Sequence, residues 1–427
     1  MSREAPAGAE LPATREQVLA MAERTLTAGW VEGEREDVPF AYSRPSPGHY
    51  PWQWYWDSCF HAIVWRRFDP GRAEAELRSL LDGGAGNGFI AHTIFWDRPV
   101  DWRRRWTYNV TSRTAPSTST IQPPLLAWAW RIAVGDPAAE PRIVTHHRWL
   151  EANRDLDGDG LIWITQPDES GLDSSPKFDA VWGRRAHARA LFPFLIARNR
   201  QLGWDARRIL GAGGPLLCEV VTNVLWGLAR LALGEPSITP RLVERLWDER
   251  RGLFLDLARG EVAREGETDP IGSGAAGGDR RVRSSTWSAL APLALPDLPE
   301  EIGRRLVSEH LLDPRRYWLP IPPTSVSAED PSFEPRDWQT WLVRRYWRGP
   351  TWINSAWLLW IGLRRLGYEA EAAEMTRALA SAVTREGLRE FYEPSSGDGL
   401  GAVDFGWSSL IAELVDPDPA APRSYLS

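Results

Sequence analysis

The sequence predicts an all-α chain folded as an (α/α)6 toroid (barrel), six inner and six outer helices with long loops forming the mouth of a site. Three observations lead there. Apolar residues recur at helical spacing in about twelve or thirteen segments. No convincing alternation of strands and helices interrupts them, and no fixed-period repeat marks a simple solenoid. Long loops, at 42–57, 84–119, 154–177, 312–350 and 387–404, recur about once per helix pair. Closing the hairpins into a ring gathers those loops at one end, where binding and catalytic residues concentrate. Residues 1–427 read as a single domain of this kind, with a flexible polar lead over 1–14.

Taken in order, residues 15–30 make the first helix on the spacing of Val18, Leu19, Met21, Ala22 and Leu26. The next loop ends Tyr50-Pro51-Trp52-Gln53-Trp54-Tyr55-Trp56-Asp57, and Asp57 or Ser58 caps a helix over 58–68. A helix over 71–82 stops at Gly83-Gly84, and 84–119 is mostly loop, including Asn87-Gly88-Phe89-Ile90-Ala91-His92 and Asp101-Trp102-Arg103-Arg104-Arg105-Trp106. Helices at 120–134 and 138–153 precede the 154–177 loop, and a long helix runs from there to about 201. Val221, Val224, Leu225, Leu228, Leu231 and Ala232 give 214–234 a buried stripe. A short helix at 239–248, an exposed Gly-rich loop at 260–278, and helices at 284–294 and 299–311 follow. Residues 312–350, irregular and dense in proline and aromatics, are too long for an idle connection. Helices at 351–366 (Ile353, Ala356, Trp357, Trp360 and Ile361 on one face), 369–385 and 405–415 complete the chain.

Composition narrows the function. A net charge of -7 over 427 residues leaves nothing to neutralise a run of phosphates, which excludes a nucleic-acid partner. No window approaches the roughly 18 uninterrupted apolar residues of a membrane span, and Met1 to Thr14 lacks the apolar core of a signal peptide. Cys59 and Cys218 are far apart and without metal-ligand spacing, which suits a reducing compartment. A soluble cytoplasmic protein is the expectation, and a homo-oligomer stays open. The outlier is tryptophan, at 25 residues. Indole faces stack on the C–H faces of sugars and on cations, although most of so many must fill gaps between helices.

Chemistry is concentrated in Glu169-Ser170-Gly171-Leu172-Asp173-Ser174-Ser175-Pro176, which sets two carboxylates four residues apart where glycine and proline forbid mid-helix geometry. A second acidic loop runs Glu386-Gly387-Leu388-Arg389-Glu390-Phe391-Tyr392-Glu393-Pro394-Ser395-Ser396-Gly397-Asp398-Gly399-Leu400-Gly401. One acid from each loop makes the pair that glycoside hydrolysis needs: one protonates the leaving oxygen, the other activates water or attacks carbon. The proton donor must keep its proton near neutral pH, through desolvation or a neighbouring carboxylate. Asp155-x-Asp157-x-Asp159-Gly160 matches the first half of a calcium loop, but Gln166 occupies the twelfth position in place of a bidentate glutamate. Side-chain-capped turns are the preferred reading there.

These stretches resemble glycoside hydrolase family 63. Glu169 to Pro176 is similar to its general-acid motif, with Ser174 where asparagine is usual, and Glu390 to Gly399 is similar to its general-base motif. Trp54-Tyr55-Trp56-Asp57 resembles the family's sugar-binding loop. Gln122-Pro123-Pro124 and Tyr346-Trp347-Arg348-Gly349-Pro350-Thr351-Trp352-Ile353-Asn354 resemble two further segments. The five stand in family order and span nearly the whole chain. In size and pattern the chain is most like the compact bacterial mannosylglycerate and glucosylglycerate hydrolases. The resemblance implies an (α/α)6 toroid, no metal or cofactor at the chemistry, a small sugar substrate and inversion at the anomeric carbon. It makes Asp173 the general acid and Glu390 the general base. Tyr50, Trp54, Trp56, Asp57, Gln122, Gly171, Tyr346, Trp347 and Trp352 would line the sugar subsite, with Glu169 supporting the loop.

Two departures bear on the leaving group. Asp168 stands where the family usually has tryptophan, and a carboxylate there repels that of glycerate unless an arginine intervenes. Residues 178–210 do not follow the family's aglycone-holding part, although Arg184, Arg185 and Arg207 are candidates for binding an anion. Alternatives are an α-glucosidase, trehalase-like enzyme or α-mannosidase acting on short oligosaccharides, and, from another class, a non-catalytic sugar-binding protein. A sugar epimerase would lean on paired histidines, of which His61, His92 and His187 lie near the loops; a terpene-cyclase-like enzyme would need an Asp-rich motif on a helix.

Overall fold

A computed structural model describes residues 10–97, 100, 102, 117–271, 278–340 and 342–417. Helix dominates, as the apolar spacing predicts, and the helices alternate between buried and peripheral positions. Six helical segments pack in a closed circuit: Tyr55–Trp65, Leu126–Ala133, Val220–Ala232, Trp287–Ala294, Ile353–Arg365 and Gly406–Leu410, the last returning to the first. Between them in sequence lie Pro70–Asp82, Pro141–Arg154, Thr239–Leu246, the run from Glu300 to Leu311, and Glu369–Glu386. Glu10–Gly29 packs outside the last of the six, against Gly406–Leu410, Ile411–Val415 and Glu369–Glu386.

The difference between the two sets is written in their composition. Every side chain of Tyr55–Trp65 is buried, whereas Pro70–Asp82 buries a stripe only, and Asp69 caps its start by accepting from the Arg72 N–H (3.1 Å). Each of the six inner segments carries a buried tryptophan: Trp56, Trp128, Trp226, Trp287, Trp357 and Trp407. Trp56 meets Trp407 edge-on (5.2 Å between centroids), and Trp128 stacks on Trp357 (5.2 Å). Much of the tryptophan excess therefore fills the centre of the molecule, where large rigid rings bridge between helices.

Strands are the main departure from the sequence reading. Trp30–Arg35 and Val38–Ser43 form an antiparallel hairpin inside a stretch read as helix and loop. Leu216–Cys218, Leu257–Arg259, Arg280–Val282 and Thr268–Pro270 form a four-stranded antiparallel sheet. The helix read from 214 thus starts at Val220, where Glu219 accepts from the Val221 and Thr222 N–H groups. The Gly-rich 260–278 loop is partly sheet, and 272–277 lie outside the described residues. So do Asp101 and 103–116 of the 84–119 loop, while Trp102 is exposed. The long helix to 201 is broken into Lys177–Trp182, a 3-10 turn at Gly183–Ala186, and Phe192–Gln201. Among the described residues, no helix is long and apolar enough to cross a membrane.

Candidate active site

The loop bearing Asp173 is anchored from beneath. Glu169 is fully buried, clamped by Arg154 (2.8 and 2.5 Å), and accepts from Thr165 N (2.6 Å), Thr165 Oγ1 (2.9 Å) and Ile121 N (3.2 Å). With its oxygens committed to Arg154, Thr165 and the Ile121 N–H, Glu169 holds the loop and does not line the cavity. Gly171 then turns the chain at φ +70°, and a Cβ there would lie 2.5 Å from the Trp56 ring. Glycine is the residue that lets this loop rest on the indole. Asp173 follows, its Oδ2 accepting from the Tyr346 hydroxyl (3.0 Å). Ser174 locks the register: its Oγ accepts from Tyr346 N (3.2 Å) and its carbonyl from Arg348 Nε (2.9 Å).

Glu390 sits on a hairpin, Arg389–Tyr392 paired with Gly399–Val403, that the sequence presents as a loop. The register slips between Arg389 and Phe391, and such an irregularity re-aims the residue it encloses. Its Oε1 accepts from the Tyr50 hydroxyl (3.1 Å) and its Oε2 from Ala402 N (2.9 Å). Gly401, at φ +68°, makes room: a Cβ there would fall 2.6 Å from Oε2.

Asp173 and Glu390 open into one cavity of about 350 Å³, the size range of small-molecule sites. Tyr50, Trp54, Trp56, Asp57, Gln122, Gly171, Tyr346 and Trp347 line it with them. Trp352 does not. It is fully buried and lies flat behind Trp347 (3.7 Å between centroids, 6° between planes), so it stiffens the wall without reaching a ligand. Gln122 has a second duty: its Oε1 takes the otherwise unpaired Trp56 N–H (2.9 Å) at the start of Tyr55–Trp65. Asp57, in the first turn of that helix, is driven up to about 7 by burial, the negative charges of Glu390 and Glu76 adding to the push and His61 opposing it.

Further lining residues were given no role at the site by the sequence. Phe405 and Trp407 complete the aromatic wall, and only the adjacent Gly406 turn hinted at them. His92, His187 and Arg189 also face the cavity. His187 was noted only as lying near a loop and Arg189 not at all, because the apolar spacing of 178–201 reads as one helix, while Gly183 (φ +62°) breaks it. Arg184 and Arg185 are exposed and away from the cavity, and Arg207 donates to the Leu156 and Asp155 carbonyls (3.3 and 3.2 Å).

Asp168 lines the cavity too. Asn199 Nδ2 donates to Gln166 Oε1 (2.9 Å), which turns Gln166 Nε2 toward Asp168 Oδ1 (2.7 Å). Its other oxygen is 3.8 Å from His92 Nδ1, too far for a hydrogen bond. Burial drives the Asp168 carboxyl well above the ordinary aspartate range, with the charge of Asp173 adding to it. Burial equally pushes His92 down to about 3, leaving it neutral.

The Asp155–Asp159 run is a capped turn. Asp155 accepts from Gly158, Asp159 and Gly160 N–H groups (2.7, 3.1 and 2.9 Å). Asp157 is taken by Arg245 (2.8 Å) and Arg259 (2.7 Å), and Asp159 also pairs with Arg245. These arginines occupy the oxygens a calcium ion would need.

Two carboxyl groups opening into one aromatic-walled cavity are what glycoside hydrolysis needs. Comparison with known proteins gives the family: residues 50–408 match the mannosylglycerate hydrolase MGH1-like glycoside hydrolase domain, and the chain belongs to that family. A mannosylglycerate hydrolase of Thermus thermophilus is 30% identical over 87% of this chain and 96% of its own. A glucosylglycerate hydrolase of Mycolicibacterium hassiacum is 26% identical over 85% and 91%. A crystal structure of a family 63 mannosylglycerate hydrolase from Thermus thermophilus, in complex with Tris and D-glycerate, superposes with a TM-score of 0.71 at 26% identity, covering 94% of this chain and 99% of that one.

Proposed function

We propose that the enzyme is an inverting glycosidase that hydrolyses α-mannosides or α-glucosides of glycerate, with Asp173 as general acid and Glu390 as general base. One observation carries this reading: two carboxyl groups from separate loops, each aimed by its own hydrogen bonds, open into a single aromatic-walled cavity. Asp173 gives its proton to the glycosidic oxygen as the bond breaks. Glu390 takes a proton from water attacking the opposite face of an oxocarbenium-like sugar. An inverting pair needs about 6.5–9.5 Å between carboxyls to admit that water. Asp57 accepts from sugar hydroxyls, and Trp54, Trp56 and Trp347 supply stacking faces. No step calls for a metal or cofactor.

The glycerate half rests on the relatives' substrates and on Arg189, the one arginine or lysine among the described residues lining the cavity. Burial raises the proton affinity of Asp168, which weakens the charge that would otherwise repel a carboxylate. The closed circuit of six buried segments with six peripheral partners supports an (α/α)6 toroid, with 1–427 as one catalytic domain. The test is hydrolysis of a panel of α-mannosides and α-glucosides with glycerate and with neutral leaving groups. Glycerate glycosides should be cleaved fastest. Asp173→Asn and Glu390→Gln should each lower turnover by about a hundred-fold or more while the circular dichroism stays unchanged. Near-normal turnover in either variant would remove that residue from its role.

A further inference from the structure

The break in the 178–201 helix puts a short segment, Ala186 to Pro193, across the open side of the cavity. It is tied down by an isolated bridge between Ala188 and Val343 and by Arg189 N donating to the Leu342 carbonyl (2.9 Å). Arg189 is exposed, which makes this the rim, while Trp56 and Trp347 form the buried floor. A sugar stacked on the floor directs its leaving group toward the rim.

His187 is the built feature of that rim. Its side chain is only 4% exposed, and Nδ1 lies 2.8 Å from Asp179 Oδ1. Asp179 is in turn gripped by Arg348 Nη2, at 2.8 and 2.9 Å from its two oxygens. Arg348 Nε reaches the carbonyl of Ser174, the residue after Asp173. A carboxylate at Nδ1 puts the ring proton there, and Arg348 already balances the charge of Asp179. With Nδ1 turned to Asp179, Nε2 is the ring nitrogen left to meet a ligand. Among the described residues Nε2 finds no hydrogen-bond partner, and His187 faces the cavity.

We propose that His187 reads the leaving group: its Nε2 accepts a hydrogen bond from a free hydroxyl of the aglycone, while the Asp179–Arg348 chain fixes the ring relative to the Asp173 loop. This rests on the glycerate-glycoside reading above. A glycerate carries such a hydroxyl beside its carboxylate; lactate, with a methyl in that place, does not. A site built around a substrate hydroxyl rejects an analogue lacking it, because the acceptor is covered by the ligand and left unpaired.

The test compares kcat/KM of the full chain on the α-glycoside of D-glycerate with that on the matching glycoside of D-lactate. The wild type should favour the glycerate glycoside by about ten-fold or more. His187→Ala should bring the ratio near one, the loss falling on the glycerate substrate. His187→Gln, whose amide oxygen can accept, should recover part of the preference. Urea midpoints of both variants control for folding. A preference that survives His187→Ala, equal losses on both substrates, or a wild type without preference would each overturn the inference and leave the glycosidase reading intact. A wild type that cleaves neither compound would instead overturn the substrate reading beneath it.

Discussion

Asp168 is the residue where the chemistry of this chain departs most from what its motifs announce. A carboxyl stands where the resemblance to family 63 leads one to expect tryptophan, and among the described residues it is held by one donor, Gln166, with no cation in hydrogen-bond reach. Burial first, and the charge of Asp173 second, raise its proton affinity. The unfolded chain gives up this proton in the ordinary aspartate range, and the folded chain only at higher pH. As pH climbs between those values the unfolded state gains relative stability, so Asp168 is a growing liability toward neutral pH. Asp168→Asn should thus match the wild type in urea stability near pH 4 and exceed it at pH 7, by about 1 kcal/mol or more. An equal difference at both pH values would mean that the proton is not held as described. The position was legible because Gln166-Pro167-Asp168-Glu169 interrupts a recognisable motif. Its surroundings were not, since Asn199, which orients Gln166, and His92 are distant in sequence and brought near only by folding.

At the level of elements, the loops that matter announce themselves by composition, but their shapes do not. Glycine, proline and serine near 390–401 read as loop, while the structure makes a hairpin whose irregular register aims Glu390. Cross-strand pairing depends on partners the local sequence does not name, and strands this short carry little alternation. The same reason hides the four-stranded sheet, and Gly183 is too slight a signal to announce a broken helix. Gly401 tests the hairpin's role. In Gly401→Ala the new Cβ must displace Glu390 and strain a left-handed backbone, at about 1–3 kcal/mol. We expect kcat to fall at least ten-fold with KM changed little, and the urea midpoint to drop only modestly. A variant with normal kcat would show that Glu390 is not held in place by this turn.

Across the whole molecule, the placement of most helices follows from apolar periodicity, whereas the order in which they touch is a long-range property. The inner circuit closes only because Gly406–Leu410, near the end of the chain, packs on Tyr55–Trp65, near its start. Removing either breaks the contact that completes the centre, and each inner segment contributes a tryptophan to it. Such an arrangement should unfold as a unit. Urea transitions followed by tryptophan fluorescence and by far-ultraviolet circular dichroism are expected to coincide, and separated midpoints would divide the chain into independent parts.

Closure also brings the two carboxyl groups together, from loops more than two hundred residues apart in sequence. The central claim is that they act as acid and base on opposite faces of one sugar, and the anomeric form of the first product reports on this directly. Proton NMR during hydrolysis of an α-mannosyl- or α-glucosylglycerate, recorded before mutarotation, should show the β sugar appearing first. Initial release of the α anomer would contradict the account.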